Sequence, residues 1–124
     1  MQYQEFLQRV EKRITTEEPG AAELATAATL STLGERLQGE EAENLAAQLP
    51  GEIKDQLTGG GAGEAGEFPL EEFYRRVGEK EDTTPEEAAP RARAVIGVLS
   101  EAVTGGEVGD VISSLPTEYE PLFR

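Results

Sequence analysis

The sequence predicts an all-α fold, a helical bundle made of two pseudo-symmetric helical repeats joined by a glycine-rich linker. Three observations predict it. Apolar residues recur at helical spacing in both halves of the 124-residue chain. Residues 39–57 and 105–123 repeat one pattern, and the ten residues between the halves contain five glycines. We expect a single helical domain over 1–124, with repeat one at 2–57, the linker at 58–67 and repeat two at 68–124.

The first repeat is predicted to begin with an amphipathic helix from about Gln2 to Thr15. Its apolar face comprises Tyr3, Phe6, Leu7, Val10 and Ile14. A longer helix is predicted from about Glu17 to Gln38, because Thr15 or Thr16 can cap it and the acids and proline that follow suit a first turn. Its predicted apolar stripe comprises Leu24, Ala27, Leu30, Leu33 and Leu37.

Two short helical pieces are predicted to complete the first repeat. Gly39 is expected to end the long helix in a left-handed conformation. The next helix begins at Glu40 and is stopped by Pro50, because proline lacks the backbone N–H that a helix interior needs. The buried side of the first piece is predicted to comprise Ala42, Leu45, Ala46 and Leu49, and Ile53 and Leu57 lie four residues apart on the second piece.

The second repeat follows the same order. Its first helix is predicted to bury Leu70, Phe73, Tyr74 and Val77. Thr84 is expected to cap the long helix with Pro85 at the first helical position, and that helix is expected to run to Gly105 with a kink or a looser first turn at Pro90. The apolar residues of the last pieces are Val108, Val111, Ile112, Leu115, Tyr119, Leu122 and Phe123.

Sliding the chain by 66 residues onto itself matches apolar, acidic, glycine and proline positions. The matched pairs include Leu33 with Leu99, Glu35 with Glu101, Leu37 with Val103, Gly39 with Gly105, Leu45 with Val111, Leu49 with Leu115 and Pro50 with Pro116. The first helices match at a shift of 67, which places Phe6 on Phe73 and Arg9 on Arg76. We therefore predict a duplicated unit whose copies pack about a pseudo-twofold axis.

These segments resemble a known family. The matching stretches are FLQRV and TLGERLQGEEAENLAAQLP in the first copy, and FPLEEFYRRV and SEAVTGGEVGDVISSLPTEYEPLF in the second. Together they resemble the bacterial and archaeal domain of unknown function 2267. The resemblance implies an all-helical protein with no assigned reaction, so no catalytic or binding residue carries over. Pro90 and the glycine-rich linker depart from the helical spacing that the resemblance implies.

The chain carries 25 acidic and 11 basic residues, a net charge of −14 that divides evenly between the halves. Such a field repels nucleic acid and anionic membranes, so neither is an expected partner. Three interpretations stay open, namely solubility, adaptation to a saline cytoplasm, and a surface made for a basic partner. Because the sequence has no cysteine, no long apolar run and no signal-like start, we expect a cytoplasmic protein.

The composition argues against catalysis. Without histidine or cysteine, most general-base, nucleophile and transition-metal arrangements cannot form. The three aspartates lie far apart, and the paired glutamates open helices, where they complement the helix dipole. We expect no enzyme activity, no metal and no cofactor.

Five residues are candidate partner contacts. Arg75, Arg76, Arg91 and Arg93 form the local basic cluster, which fits an acidic partner or a phosphate ligand. The alternative is that they form weak surface ion pairs with neighbouring glutamates. Tyr119 fits either a core position or an exposed contact surface.

We predict a non-catalytic protein–protein interaction or self-assembly protein, with itself or another protein as partner through apolar surface left on the long helices. One alternative is a module that binds a small apolar or anionic ligand between the repeats. The other is an acidic regulator of a basic protein, whose binding would weaken steeply with salt.

Overall fold

The computed structural model describes residues 1–14, 18–37, 39–59, 67–103 and 105–123, and every regular element within these ranges is helical. The elements are α1 (Tyr3–Arg13), α2 (Ala21–Arg36), α3 (Gly39–Ala46), α4 (Gly51–Thr58), α5 (Leu70–Glu81), α6 (Pro85–Ala102), α7 (Gly105–Ser114) and a 3₁₀ helix (Thr117–Phe123). The predicted all-α class is confirmed. Most of the predicted linker lies outside the described residues.

The four longer helices form the centre of the bundle. The helix α2 packs against α1, α5 and α6, and α6 packs in turn against α1 and α5. The buried side chains between them are mostly aliphatic, and the aromatic ones are Phe6, Phe68, Phe73 and Tyr119. The shorter elements cover this centre, with α4 against α2 and the 3₁₀ helix against α6.

The long helix α2 begins later than predicted and buries a different face. It starts at Ala21, because Gly20 adopts a left-handed conformation (φ 80°) that a right-handed helix cannot include. The predicted caps Thr15 and Thr16 lie outside the described residues. The predicted stripe is wrong at Leu24, which is exposed, whereas Thr26 and Thr29 are fully buried. Since α2 has helices on several sides, no single stripe describes its buried surface.

Neither glycine that was expected to end a long helix does so. The helix α2 ends at Arg36 with Leu37 extended, and α6 ends at Ala102 with Val103 extended. Gly39 and Gly105 instead begin the next helices, α3 and α7.

The start of α6 follows the prediction. The Thr84 hydroxyl accepts a hydrogen bond from the Glu87 backbone N–H at 3.2 Å, and Pro85 is the first helical residue. The helix runs from Pro85 to Ala102 as one element through Pro90, so this proline does not end it. Before it, Asp82 closes α5 in a left-handed conformation (φ 57°).

Candidate functional site

Arg75 and Arg76 lie on α5 and bond to glutamates of their own helix. Both guanidinium groups donate to the Glu72 carboxylate, at 2.6 to 2.8 Å, and Arg75 also bonds to Glu79 at 2.7 Å. The hydrogen bonds from Arg75 and Arg76 lower the pKa of Glu72 to about 2. Arg75 is exposed, so its pairs resemble ordinary surface ion pairs.

Arg91 and Arg93 lie on α6 and have different partners. Arg91 Nη1 bonds to Glu81 Oε1 at 2.9 Å, and Arg93 Nη1 lies 3.5 Å from the Tyr74 hydroxyl. The Glu81 side chain is fully buried, and its Oε2 has no hydrogen-bond partner among the described residues. Burial raises the pKa of Glu81, against the opposing effect of Arg91. No single acceptor is bonded by all four arginines, so the four side chains do not point to one shared phosphate-binding site.

Tyr119 lies in the core and not at the surface. Its hydroxyl donates a hydrogen bond to the Phe68 carbonyl at 2.6 Å, and burial raises its pKa to about 12. Arg36 Nε donates to the same carbonyl at 2.9 Å, and the Arg36 guanidinium lies 5.3 Å from the Tyr119 ring centroid. The Arg76 guanidinium carbon also lies 4.0 Å from the centroid of the Phe68 ring. We call Arg36, Phe68, Arg76 and Tyr119 the Phe68 junction.

The Phe68 junction fixes three parts of the chain to one another. Arg36 ends α2, Phe68 precedes α5, and Tyr119 belongs to the 3₁₀ helix. Glu118 of the 3₁₀ helix adds a further connection by accepting a hydrogen bond from the Leu70 backbone N–H at 3.0 Å. Every polar group named here already has a protein partner, so the junction is built for packing. Sequence reasoning missed Arg36, although a basic residue between two buried leucines, Leu33 and Leu37, was a usable signal.

Two glutamates connect the halves of the chain. Glu35 of α2 pairs with Arg76 at 3.4 Å and Lys80 at 2.9 Å on α5. Glu101 of α6 pairs with Arg9 at 2.8 Å and also with Arg13 on α1. The hydrogen bonds from Arg9 and Arg13 lower the pKa of Glu101.

An apolar groove opens to solvent between α7 and the 3₁₀ helix, with a volume of about 310 Å³. Ile112 exposes 37% of its surface there. The lining residues are Ile112, Ser113, Leu115, Pro116, Thr117, Tyr119, Glu120 and Phe123. Phe123 also borders a smaller depression beside Leu45, Val103 and Val111. We call this surface the α7 groove, and its one charged lining residue among those described is Glu120.

A second groove of similar volume lies between α1 and the start of α2. Leu7 and Ile14 supply its apolar floor, but Glu11, Glu18 and Glu23 also line it. Leu24, the other large apolar side chain that is exposed among the described residues, follows on α2. This groove is more polar and more acidic than the α7 groove.

Acidic residues concentrate on the short elements. Together α3, α4, α7 and the 3₁₀ helix contain nine carboxylates and one basic residue, Lys54, whereas α1, α2, α5 and α6 contain eleven and nine. The short elements form one continuous series, since α3 contacts α4 and α7, and α7 contacts the 3₁₀ helix. We call these four elements the acidic helices. Arg124 follows them and lies outside the described residues.

Two kinds of site are not found in the described part of the chain. No group of three or more acidic residues there is arranged to hold a metal ion. No described helix is long and apolar enough to cross a membrane.

The described residues fold as an all-α protein. The chain belongs to the family described as "Uncharacterized conserved protein (DUF2267)", whose model matches residues 3–122. The predicted family is thereby confirmed. A comparison with curated proteins finds none that matches the chain. Because the family description states no activity, a functional proposal depends on the geometry.

Proposed function

We propose that the protein is a non-catalytic protein–protein interaction protein whose contact surface is the α7 groove. The observation that carries this proposal is the exposure of Ile112 in a groove with Leu115, Pro116 and Phe123. Single exposed apolar residues are ordinary, but here Ile112, Pro116 and Phe123 line one groove together, and grouped apolar side chains are common at interaction sites. Burying it against a partner would contribute about 25 cal/mol for each Å² of apolar surface removed from water.

The chemistry of the remaining side chains supports a non-catalytic role. The chain has no histidine or cysteine, and its buried tyrosine, Tyr119, is held protonated with its hydroxyl bonded to a backbone carbonyl. Arg75, Arg76 and Arg91 are engaged by glutamates. These groups are held in place by other protein groups, which suits a scaffold.

We also infer that the bundle is one domain of two copies related by a pseudo-twofold axis, joined by the linker at 58–67. The reciprocal ion pairs support this inference. Glu35 and Glu101 are equivalent at a shift of 66, and their partners Arg76 and Lys80 are equivalent to Arg9 and Arg13 at a shift of 67. The helix α2 thus pairs with α5, and α6 pairs with α1. Each copy therefore contacts the first helix of the other copy, as a twofold arrangement requires.

The two copies differ in the burial of the residues that line the α7 groove. At a shift of 66, exposed Ile112 corresponds to Ala46, which is buried, and half-buried Phe123 corresponds to Leu57, which is fully buried. The second copy therefore presents apolar surface that the first copy covers. This divergence supports a role for the α7 groove beyond folding.

Native mass spectrometry on protein isolated gently from its own cells tests the proposal. We expect an added protein mass on the wild-type chain and on Leu24→Gln, and its loss from Ile112→Gln. Leu24→Gln is the matched control, because both residues are exposed apolar side chains on helices. A bare chain in all three samples, or an added small-molecule mass, would contradict the proposal.

A further inference from the structure

A buried carboxylate lies at the end of α5. Glu81 is the last residue of that helix, and its side chain is fully buried. Its Oε1 accepts a hydrogen bond from Arg91 Nη1 on α6 at 2.9 Å, whereas its Oε2, also buried, has no hydrogen-bond partner among the described residues. An ionised carboxylate accepts hydrogen bonds at both oxygens. The folded chain therefore solvates the ionised form of Glu81 poorly.

The aligned positions of the first repeat carry apolar residues. Glu81 aligns with Ile14 at a shift of 67, and Arg91 aligns with Ala25 at a shift of 66. Ile14 packs against the core, and Ala25 is fully buried in it. A buried ion pair is often no more stabilising than apolar side chains of similar volume. Packing alone therefore does not account for the ion pair in the second repeat.

Arg91 is the one charged group among the described residues that bonds to Glu81 or shifts its pKa. Burial raises that pKa above its ordinary value of 4.5, against the opposing effect of Arg91. Other charged side chains of α5, of the turn after it and of the helices packed against it bond elsewhere or are exposed. They include Lys80, Asp82, Glu87, Arg93, Glu23 and Glu35.

Residues 82–84, here called the α5–α6 turn, connect Glu81 to the helix that carries Arg91. Asp82 is left-handed (φ 57°), and its backbone N–H bonds to the Glu79 and Gly78 carbonyls. The Thr83 N–H also bonds to the Gly78 carbonyl, at 2.8 Å. Helix ends open at lower free energy than helix centres. Local opening of this turn is therefore the least costly way to bring the Glu81 carboxylate into contact with water.

We propose that Glu81 and Arg91 form a pH-sensitive switch at the α5–α6 turn, which is closed while Glu81 is protonated and opens more readily as the carboxylate ionises. This inference goes beyond the proposed function, because neither residue lines the α7 groove. A carboxyl whose pKa is raised by burial binds protons more tightly in the closed form. It stabilises that form fully below its ordinary pKa of 4.5, and this contribution is lost as the pH rises through the raised value.

Hydrogen exchange followed by NMR on the purified chain tests the switch. The Thr83 amide reports opening, because its hydrogen bond to the Gly78 carbonyl must break before it exchanges. Protection is corrected for the intrinsic pH dependence of exchange. We expect it to fall as the pH rises from below 4.5 to neutrality, by about tenfold for each unit by which the pKa of Glu81 exceeds 4.5. The ¹³C chemical shift of the Glu81 carboxyl measures that pKa.

Three variants separate Glu81 from the other carboxylates. Glu81→Gln keeps an oxygen for Arg91 but cannot ionise, so we expect pH-independent protection close to that of the wild-type chain in acid. Glu81→Ile with Arg91→Ala carries the residues of the first repeat, and we expect it to fold and to lose the pH dependence as well. The matched control is Glu79→Gln, since Glu79 is exposed on the same turn of α5. We expect it to keep the wild-type pH dependence.

Several outcomes would overturn the inference. One is a pKa of Glu81 at or below 4.5, and another is protection at Thr83 that is constant or increases as the pH rises. Equal pH dependence in the wild-type chain and in Glu81→Gln would assign the effect to another group, as would its loss in Glu79→Gln. None of these results bears on the α7 groove, so the switch and the proposed function can fail separately.

Discussion

At the scale of single residues, the Phe68 carbonyl is the shared hydrogen-bond acceptor of a buried arginine and a buried tyrosine. A carbonyl oxygen accepts two hydrogen bonds, and Arg36 and Tyr119 occupy both positions. The Arg36 charge also lies near the faces of two aromatic rings, which favours a cation in a site from which water is excluded. Both side chains depend on this one acceptor, so each is sensitive to changes in the other.

Tyr119→Phe is expected to lower the free energy of unfolding by about 1 kcal/mol at neutral pH, the usual contribution of one hydrogen bond. The effect should depend on pH. Since the pKa of Tyr119 is about 12 when folded and about 10 when unfolded, its contribution is complete below pH 10 and is lost as the pH rises toward 12. Urea unfolding of both proteins across this range measures the difference. A difference that stays constant or grows above pH 10 would show that burial does not hold the phenol protonated.

At the scale of elements, α4 and the 3₁₀ helix align in sequence at a shift of 66 residues but differ in how they pack. The helix α4 lies so close to α2 that a β-carbon added at Gly34 would collide with the Leu57 carbonyl oxygen. Gly34 aligns with Ser100 of α6 at a shift of 66, and the Ser100 hydroxyl donates a hydrogen bond to the Ile96 carbonyl at 3.0 Å. Pro121, which replaces Asp55, also removes a backbone donor from the last element. The close backbone contact of α4 with α2 thus depends on a glycine that α6 lacks at the aligned position.

Gly34→Ala is expected to destabilise the protein by about 1–3 kcal/mol, because the new methyl group would force the backbones of α2 and α4 apart. The control is Gly109→Ala on α7, where an added β-carbon meets no atom within 4 Å. Replacing glycine by alanine in a helix is otherwise favourable by up to about 1 kcal/mol, so the control should be neutral or stabilised. Chemical denaturation of both variants gives the comparison. Equal effects at the two positions would contradict the close approach of α4.

The sequence was sufficient to predict the helices but not which face of each helix is buried. Helical periodicity predicted that each helix exists, and Thr84 with Pro85 predicted where α6 begins. Both signals are local in the sequence. The face of α2 was wrong at Leu24, since burial there depends on which helices surround α2. Ile112 was grouped with the apolar positions for the same reason, since its exposure depends on which elements lie against α7. Arg36 escaped notice because its acceptor is 32 residues distant.

At the scale of the whole molecule, the acidic excess is similar in both halves of the sequence but differs between the longer and the shorter helices. Each half carries a similar excess of acid, but each also contributes two long helices and two acidic helices. The long helices neutralise one another through the Glu35 and Glu101 clusters. The remaining acidic excess lies on the acidic helices, which contact one another in series. The groove in which Ile112 is exposed is the feature on which the functional proposal depends.

The most direct test of the α7 groove is photo-crosslinking inside the cells that make the protein. A photoreactive amino acid replaces Ser113, which is exposed in the groove, or Lys12, which is exposed on α1. We expect a crosslink to a second polypeptide from position 113 that disappears when Ile112→Gln is added, and little or none from position 12. No crosslink from position 113, or equal crosslinks from both positions, would show that the α7 groove is not where this protein meets its partner.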